Sequence, residues 1–307
     1  SVRRVMKIGS TFNFASGLER TACHCIAYSF DDEVGFQPDA GDSHVVQLTP
    51  GRVEVLYGKA GWLTGLWRSE TGKVHVTDIG NHIYFNPDPA PRAAPFQNFP
   101  VKGAMTGVWG LNDDTVFAWG QSGGQPVMYR WNGGGWDPMD PPPGRVIAMH
   151  GIAPDMIYAV GTEGLIARWD GSAWQQVPCP VRTTLSAVFV ASEDEMYACG
   201  EGKSLLSGSV HGWSEILTHD MALRGVVKWH GDVWLGAGGD LGLCKLDGNK
   251  LVSIKPNIQP LCIDARGSLL ITGNGYVVET TDGANFMASF IKGFEDAKAG
   301  KPMMWTS

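Results

Sequence analysis

Three stretches decide the fold: GVWGLNDDTVFAWG (107–120), AMHGIAPDMIYAVG (148–161) and AVFVASEDEMYACG (187–200). Each reads as an apolar strand, a polar turn and a second strand that closes on glycine. GVVKWHGDVWLGA (225–237) and CIDARGSLLITG (262–273) continue the series in slightly shortened form. GLWRSETGKVHVTD (65–78) and CIAYSFDDEVGFQP (25–38) extend it upstream more faintly. The closing positions 38, 78, 120, 161, 200, 237 and 273 give seven units spaced by 36 to 42 residues. A fixed period of this length is the signature of a repeat architecture.

A second half-unit follows each closing position, clearest in PVMYRWNGGGWDPM (126–139) and LIARWDGSAWQQVP (165–178). Asn132-Gly133 and Asp170-Gly171 predict tight hairpins, because type I′ turns need two residues with positive φ. Asp247-Gly248 and Asp282-Gly283 repeat that chemistry. Four antiparallel strands per unit is the pattern of a β-propeller blade. A lone four-stranded sheet cannot bury both faces, whereas blades stacked radially bury each against its neighbour. The expectation is an all-β, seven-bladed β-propeller forming one domain over 1–307. Its repeats lie at about 25–64, 65–106, 107–147, 148–186, 187–224, 225–260 and 261–290, and the termini close the ring. Val2–Ile8 or Met303–Thr306 is the expected closing strand. Matched columns place Trp67, Trp109, His150 and Phe189 between blades, and pair Trp131 and Trp136 with Trp169 and Trp174.

The pattern G-V-W-G-x-x-x-D-x-V-[FY]-A-x-G followed by R-W-[DN]-G-x-x-W resembles bacterial propeller repeats grouped with BNR/Asp-box and WD-like repeats. TTDGANF (280–286) is similar to a degenerate Asp-box with one residue missing. The resemblance implies the fold and is nearly silent on activity.

Composition sets the outer limits. Glycine numbers 41 of 307 residues, about twice its usual ~7% share, while charged residues make up only 18%. No apolar run approaches the roughly 20 residues that span a bilayer, and Ser1–Gly17 lacks the apolar region of a signal peptide. Six cysteines are too sparse for a disulfide framework. The expected setting is soluble and cytoplasmic, with a secreted mature form as the alternative. A net charge of -7 speaks against a nucleic-acid partner.

The short motifs read as structure. Gly120–Gly124 matches G-x-S-x-G, yet a strand rather than a helix follows Ser122, unlike a nucleophile elbow. Gly202-Lys203-Ser204 lacks the leading glycine and the helix of a phosphate loop. Cys23 and Cys25 share one strand face while His24 points away, so the three cannot hold one zinc without a bend. Cys199, Cys262 and His150 fall in core columns. No metal and no organic cofactor is expected.

Charge sorts by loop type. The first-to-second-strand turns collect Asp31, Asp32, Glu33, Glu70, Asp113, Asp114, Asp155, Glu193, Asp194, Glu195, Asp232 and Asp264. Aspartate favours tight turns by bonding its own backbone; glutamate gains little there, and the summed field is negative. Each blade-to-blade connection carries a cation: Arg20, Lys59, Lys102, Arg145, Arg182, Arg224 and Lys255. A cationic ring of this kind at the channel mouth suits an anionic ligand. The sequence therefore supports a non-enzymatic protein-binding propeller, a scaffold or a toxin-neutralising inhibitor acting through its loops. The alternative is a glycan-binding or glycan-cleaving propeller of the sialidase type. Against it, Asp-boxes do not recur and no Tyr/Glu pair is evident at the mouth.

Overall fold

A computed structural model describes residues 8–31, 37, 40–49, 52–88, 95–201, 204–218 and 221–290. They form seven four-stranded antiparallel sheets, each built from four strands consecutive in sequence. The first strand of every sheet packs against the first strands of the sheets on either side, and the seventh sheet returns to the first. This is the seven-bladed β-propeller that the repeat predicts. The blades span 8–60, 63–100, 104–139, 146–176, 185–218, 223–255 and 262–290.

Blade 1 departs from the expected repeat at 25–64. Its innermost strand is Ile8–Gly17, and Cys23–Asp31 is the second strand rather than the start of the unit. Of the closing strand expected at Val2–Ile8, all but Ile8 lies outside the described residues. The stretch at Met303–Thr306 lies outside the described residues. The hairpins at Asn132 and Asp170 differ from two-residue type I′ turns. Trp131 pairs with Trp136 and Trp169 with Trp174, leaving four-residue loops. In each loop the Asx side chain accepts two backbone N–H groups, at 2.7–3.0 Å for Asn132 and 2.8 Å for Asp170. This Asx geometry competes with the mirror-image turn. A true two-residue turn with both φ positive occurs at His230-Gly231 (50° and 87°).

Between blades the core is aromatic. Trp67 lies so close over Gly110 of the next blade that a β-carbon there would sit 2.6 Å from the ring. His150 stacks on Phe189 at 4.3 Å and meets Trp109 at 5.9 Å. The Trp131–Trp136 and Trp169–Trp174 pairs both sit at 5.5 Å across their hairpins. Each such ring removes a large apolar area from water, worth about 2–3 kcal/mol.

Ring closure is different in kind. Arg266 of blade 7 donates to Asp264 and to Ser16 Oγ, both at 2.7 Å through Nη2, and to the carbonyl of Arg68 in blade 2. Gly17 N–H donates to Asp264 at 3.2 Å, and Ser268 N–H to the Leu18 carbonyl at 2.8 Å. Arg20 N–H donates to Glu279 at 2.9 Å, and its guanidinium to Ser289 Oγ at 2.9 Å. Beneath this polar seam, Cys23, Cys25 and Leu48 of blade 1 pack on Leu270 and Val277 of blade 7. Charge-assisted bonds in a partly buried seam are costly to break from one side. Arg266→Met is therefore expected to lower unfolding free energy by about 3 kcal/mol; a loss below about 1 kcal/mol in urea titration would contradict the seam's role.

Two buried histidines, His24 and His75, and the half-buried His150 add a pH dependence. His75 sits in a cage of Trp67, Phe85, Trp131 and Trp136, with ring centroids 4.7–5.9 Å away, and neither nitrogen finds a partner. Burial lowers the pKa of His24 to about 3, of His75 to about 3 and of His150 to about 4. These values lie below the ordinary 6.5, so on acidification the unfolded chain takes up protons first. Their contribution is complete above pH 6.5 and is lost as pH falls towards 3. Between pH 6.5 and 5 each group forfeits up to about 2 kcal/mol. His75→Leu should flatten the fall in urea midpoint between pH 7 and 5; an unchanged slope would refute the assignment.

Candidate functional site

The ring has two loop faces. The hairpin face carries the first-to-second and third-to-fourth-strand turns. The connection face carries the blade-to-blade links and the second-to-third-strand turns. Both faces rise from strands fixed by inter-blade packing, so their loops sit on a rigid frame.

Of the seven cations expected together, six lie at the connection face. Arg20 does not: it opens the short 3-10 turn Arg20–Ala22 between the first two strands of blade 1, on the hairpin face, and pairs with Glu279 at 3.5 Å. The cause is the hidden first strand Ile8–Gly17, which turns the loop around Arg20 into a first-to-second-strand connection and the one after Asp31 into a second-to-third-strand connection. Lys59 is committed to structure. Its ammonium pairs with Asp78, a fully buried carboxylate that also accepts from Tyr84 OH and from the N–H groups of Gly80 and His82, all at 2.9 Å. Burial and that carboxylate push the Tyr84 phenol well above its usual range. Lys255 lies 4.8 Å above the Phe286 ring. Lys102, Arg145, Arg182 and Arg224 are exposed at the entrances to blades 3 to 6. Among the described residues they have no carboxylate partner. Asp140, Glu163, Glu201 and Asp240 share this face, so its positive field is interrupted.

The acidic set divides in the same way. Asp31 ends the second strand of blade 1 and so belongs to the connection face, and Asp32 lies outside the described residues. On the hairpin face, Asp113 accepts from Thr71 at 2.8 Å and pairs with Lys73 at 3.0 Å. Burial opposes its ionisation, but bonds from Ser69, Lys73 and Thr71 outweigh it and hold the carboxyl below the ordinary range. Asp232 pairs with Lys245 at 2.6 Å. Glu195 binds Lys228 and the Tyr197 hydroxyl. Asp114, Asp155, Glu193 and Asp194 remain exposed on adjacent blades 3 to 5, without a side-chain cation partner among the described residues. Ile152, 43% exposed, lies among them at the end of an innermost strand. A shallow recess of about 390 Å³, lined by Asp114, Arg130, Asp137 and Trp169, continues the same surface.

The short motifs resolve as hairpins and core. Ser122 pairs with Gln125 across the Gly123-Gly124 turn, with no helix after it. Ser204 begins the third strand of blade 5. The Cys23 and Cys25 sulfurs are 4.0 Å apart in the core, and His24 faces the other way. His150 accepts the Val190 N–H at 3.0 Å on Nδ1. The Asp-box-like stretch forms an Asx turn in which Asp282 accepts from Ala284 and Asn285 N–H at 2.8 Å. Sequence reading missed one pair, Tyr197–Glu195 at 2.9 Å. Burial and Glu195 push the Tyr197 phenol up to about 12, and Lys228 already occupies the carboxylate, so the tyrosine is not activated as a nucleophile. No helix among the described residues is long and apolar enough to cross a membrane.

Comparison with known proteins fits this geometry. The chain is similar in fold to the WD40 β-propeller domain of Doa1 (TM-score 0.65, 11% identity, 89% of this chain and 95% of that one). It is also similar to virginiamycin B lyase from Staphylococcus aureus (TM-score 0.61, 15% identity, 75% and 84%). At these identities the likeness shows the fold alone. No protein-family model matches the chain. In sequence, it is 33% identical over 128 residues to Immune protein Tsi7 of Pseudomonas aeruginosa, a match spanning 39% of this chain and 40% of that protein.

Proposed function

We propose that the chain is a protein-binding propeller of the immunity type, which silences a toxic protein partner by occupying it. The observation that carries this reading is the sequence similarity to an immune protein, set on a frame that holds exposed loops rigid. The six cysteines are free thiols, four of them buried, which suits action in the reducing cytoplasm.

The contact surface is the hairpin face of blades 3 to 5. Asp114, Asp155, Glu193 and Asp194 present carboxylates that make no ion pair among the described residues, and Ile152 adds an apolar centre. An apolar centre within a charged rim is a common interface plan. The net charge of -7 acts in the same direction, steering a basic partner into contact. Lys102, Arg145, Arg182 and Arg224 form the competing surface.

The test uses the products of genes adjacent to this one. Each is expressed with and without the chain, and growth and complex formation are measured. One neighbour is expected to arrest growth, to be neutralised by the chain and to bind it with an affinity that falls at high salt. The combined change Asp155→Lys, Glu193→Lys and Asp194→Lys should weaken binding by about tenfold or more. Arg145→Glu with Arg182→Glu should leave it within about threefold. The opposite pattern would move the contact to the connection face. Absence of any neutralised neighbour would remove the immunity reading.

A further inference from the structure

Two arginines come together at the hairpin-face mouth of the central channel, where Arg266 of blade 7 reaches over Ser16 of blade 1 to the Arg68 carbonyl of blade 2. Arg266 is fully engaged by Asp264, Ser16 and the Arg68 carbonyl. Arg68 is not. It ends the innermost strand of blade 2, is only 9% exposed, and donates from Nη1 to the Ser69 carbonyl at 3.1 Å. Its Nε–H is shut off from solvent and meets no acceptor on the described chain.

A second buried group is idle beside it. His24, 2% exposed, projects from the second strand of blade 1, and its Nδ1 finds no partner. Burial and the Arg68 charge keep the ring neutral, so one ring nitrogen carries a hydrogen to donate. The local charge balance is positive, since Asp264 offsets one guanidinium of two. Burial first, and then the Arg266 charge, lower the Arg68 pKa. Arg266 bridges the ends of the innermost strands of blades 1 and 2 through Ser16 and the Arg68 carbonyl, which sets the cluster where those strands end.

A buried charged donor without an acceptor is costly to fold around and calls for an explanation. A planar guanidinium fork matches the paired oxygens of phosphate or carboxylate. We propose that Arg68, supported by Arg266 and His24, forms a binding site for a small oxyanion at the channel mouth. This site stands apart from the acidic arc on blades 3 to 5 and does not depend on the identity of a protein partner.

The experiment is thermal unfolding of the full chain in sodium phosphate, sodium acetate and sodium chloride at matched ionic strength, with isothermal titration alongside. Wild type is expected to gain roughly 3 °C or more in phosphate or acetate over chloride. The stronger of the two identifies the source as a phosphate group or a carboxylate. Arg68→Met should abolish the gain. Arg68→Lys, which keeps the charge but loses the fork, should weaken binding by about tenfold. Equal stability in all three salts, or an undiminished gain in Arg68→Met or Arg68→Lys, would overturn the site.

Discussion

The structure depends on one junction, the meeting of blade 7 with blade 1. Every other blade is tied to the next by a short covalent link, so its packing partner is always nearby. The closing pair is joined only through contacts between residues about 250 positions apart, such as Arg266 with Ser16. In the described residues no strand is exchanged between the first and last blades, since each sheet is built from consecutive strands. Arg266, Asp264, Ser268 and Glu279 carry the polar part of the seam. The apolar layer of Cys23, Cys25, Leu270 and Val277 seals it from beneath. If that junction opened, the channel mouth and both loop faces would lose their geometry together.

Blades 2 to 7 were legible in the residues because two physical requirements repeat there. Glycine closes the second strand where the backbone of the first strand passes too close for a side chain, as at Gly120 and Gly200. A large ring then fills the same gap between blades each time, as Trp109, His150 and Phe189 do. Blade 1 escaped because Ile8–Gly17 ends in a 3-10 turn instead of a two-residue hairpin. Its four strands also spread over 8–60. The four-residue loops at Asn132 and Asp170 were misread for a local reason. Asn-Gly and Asp-Gly favour a turn, while the Asx bond that selects its length depends on residues two and three further on.

Charge placement was legible by face and not by availability. Turn chemistry puts carboxylates at the first hairpin of most blades, so the acidic side could be read directly. Which of those charges are spent could not, because Lys73–Asp113, Lys228–Glu195 and Lys245–Asp232 join residues on different strands or blades. Removing the spent groups leaves an acidic arc on blades 3 to 5 and a row of cations on the opposite face. The same subtraction exposes Arg68, a charged group committed to no carboxylate. A protein of low charge content thus divides its charges between holding the ring closed and facing outwards.

Native-state hydrogen exchange tests the closure most directly. The amides of Gly17, Arg20 and Ser268 donate across the seam to Asp264, Glu279 and Leu18. A seam that holds the ring predicts that they exchange as slowly as Ala159 and Val160 in the core of blade 4, through global unfolding alone. Exchange at these three amides orders of magnitude faster, with blade 4 still protected, would show that the ring opens there and contradict the account.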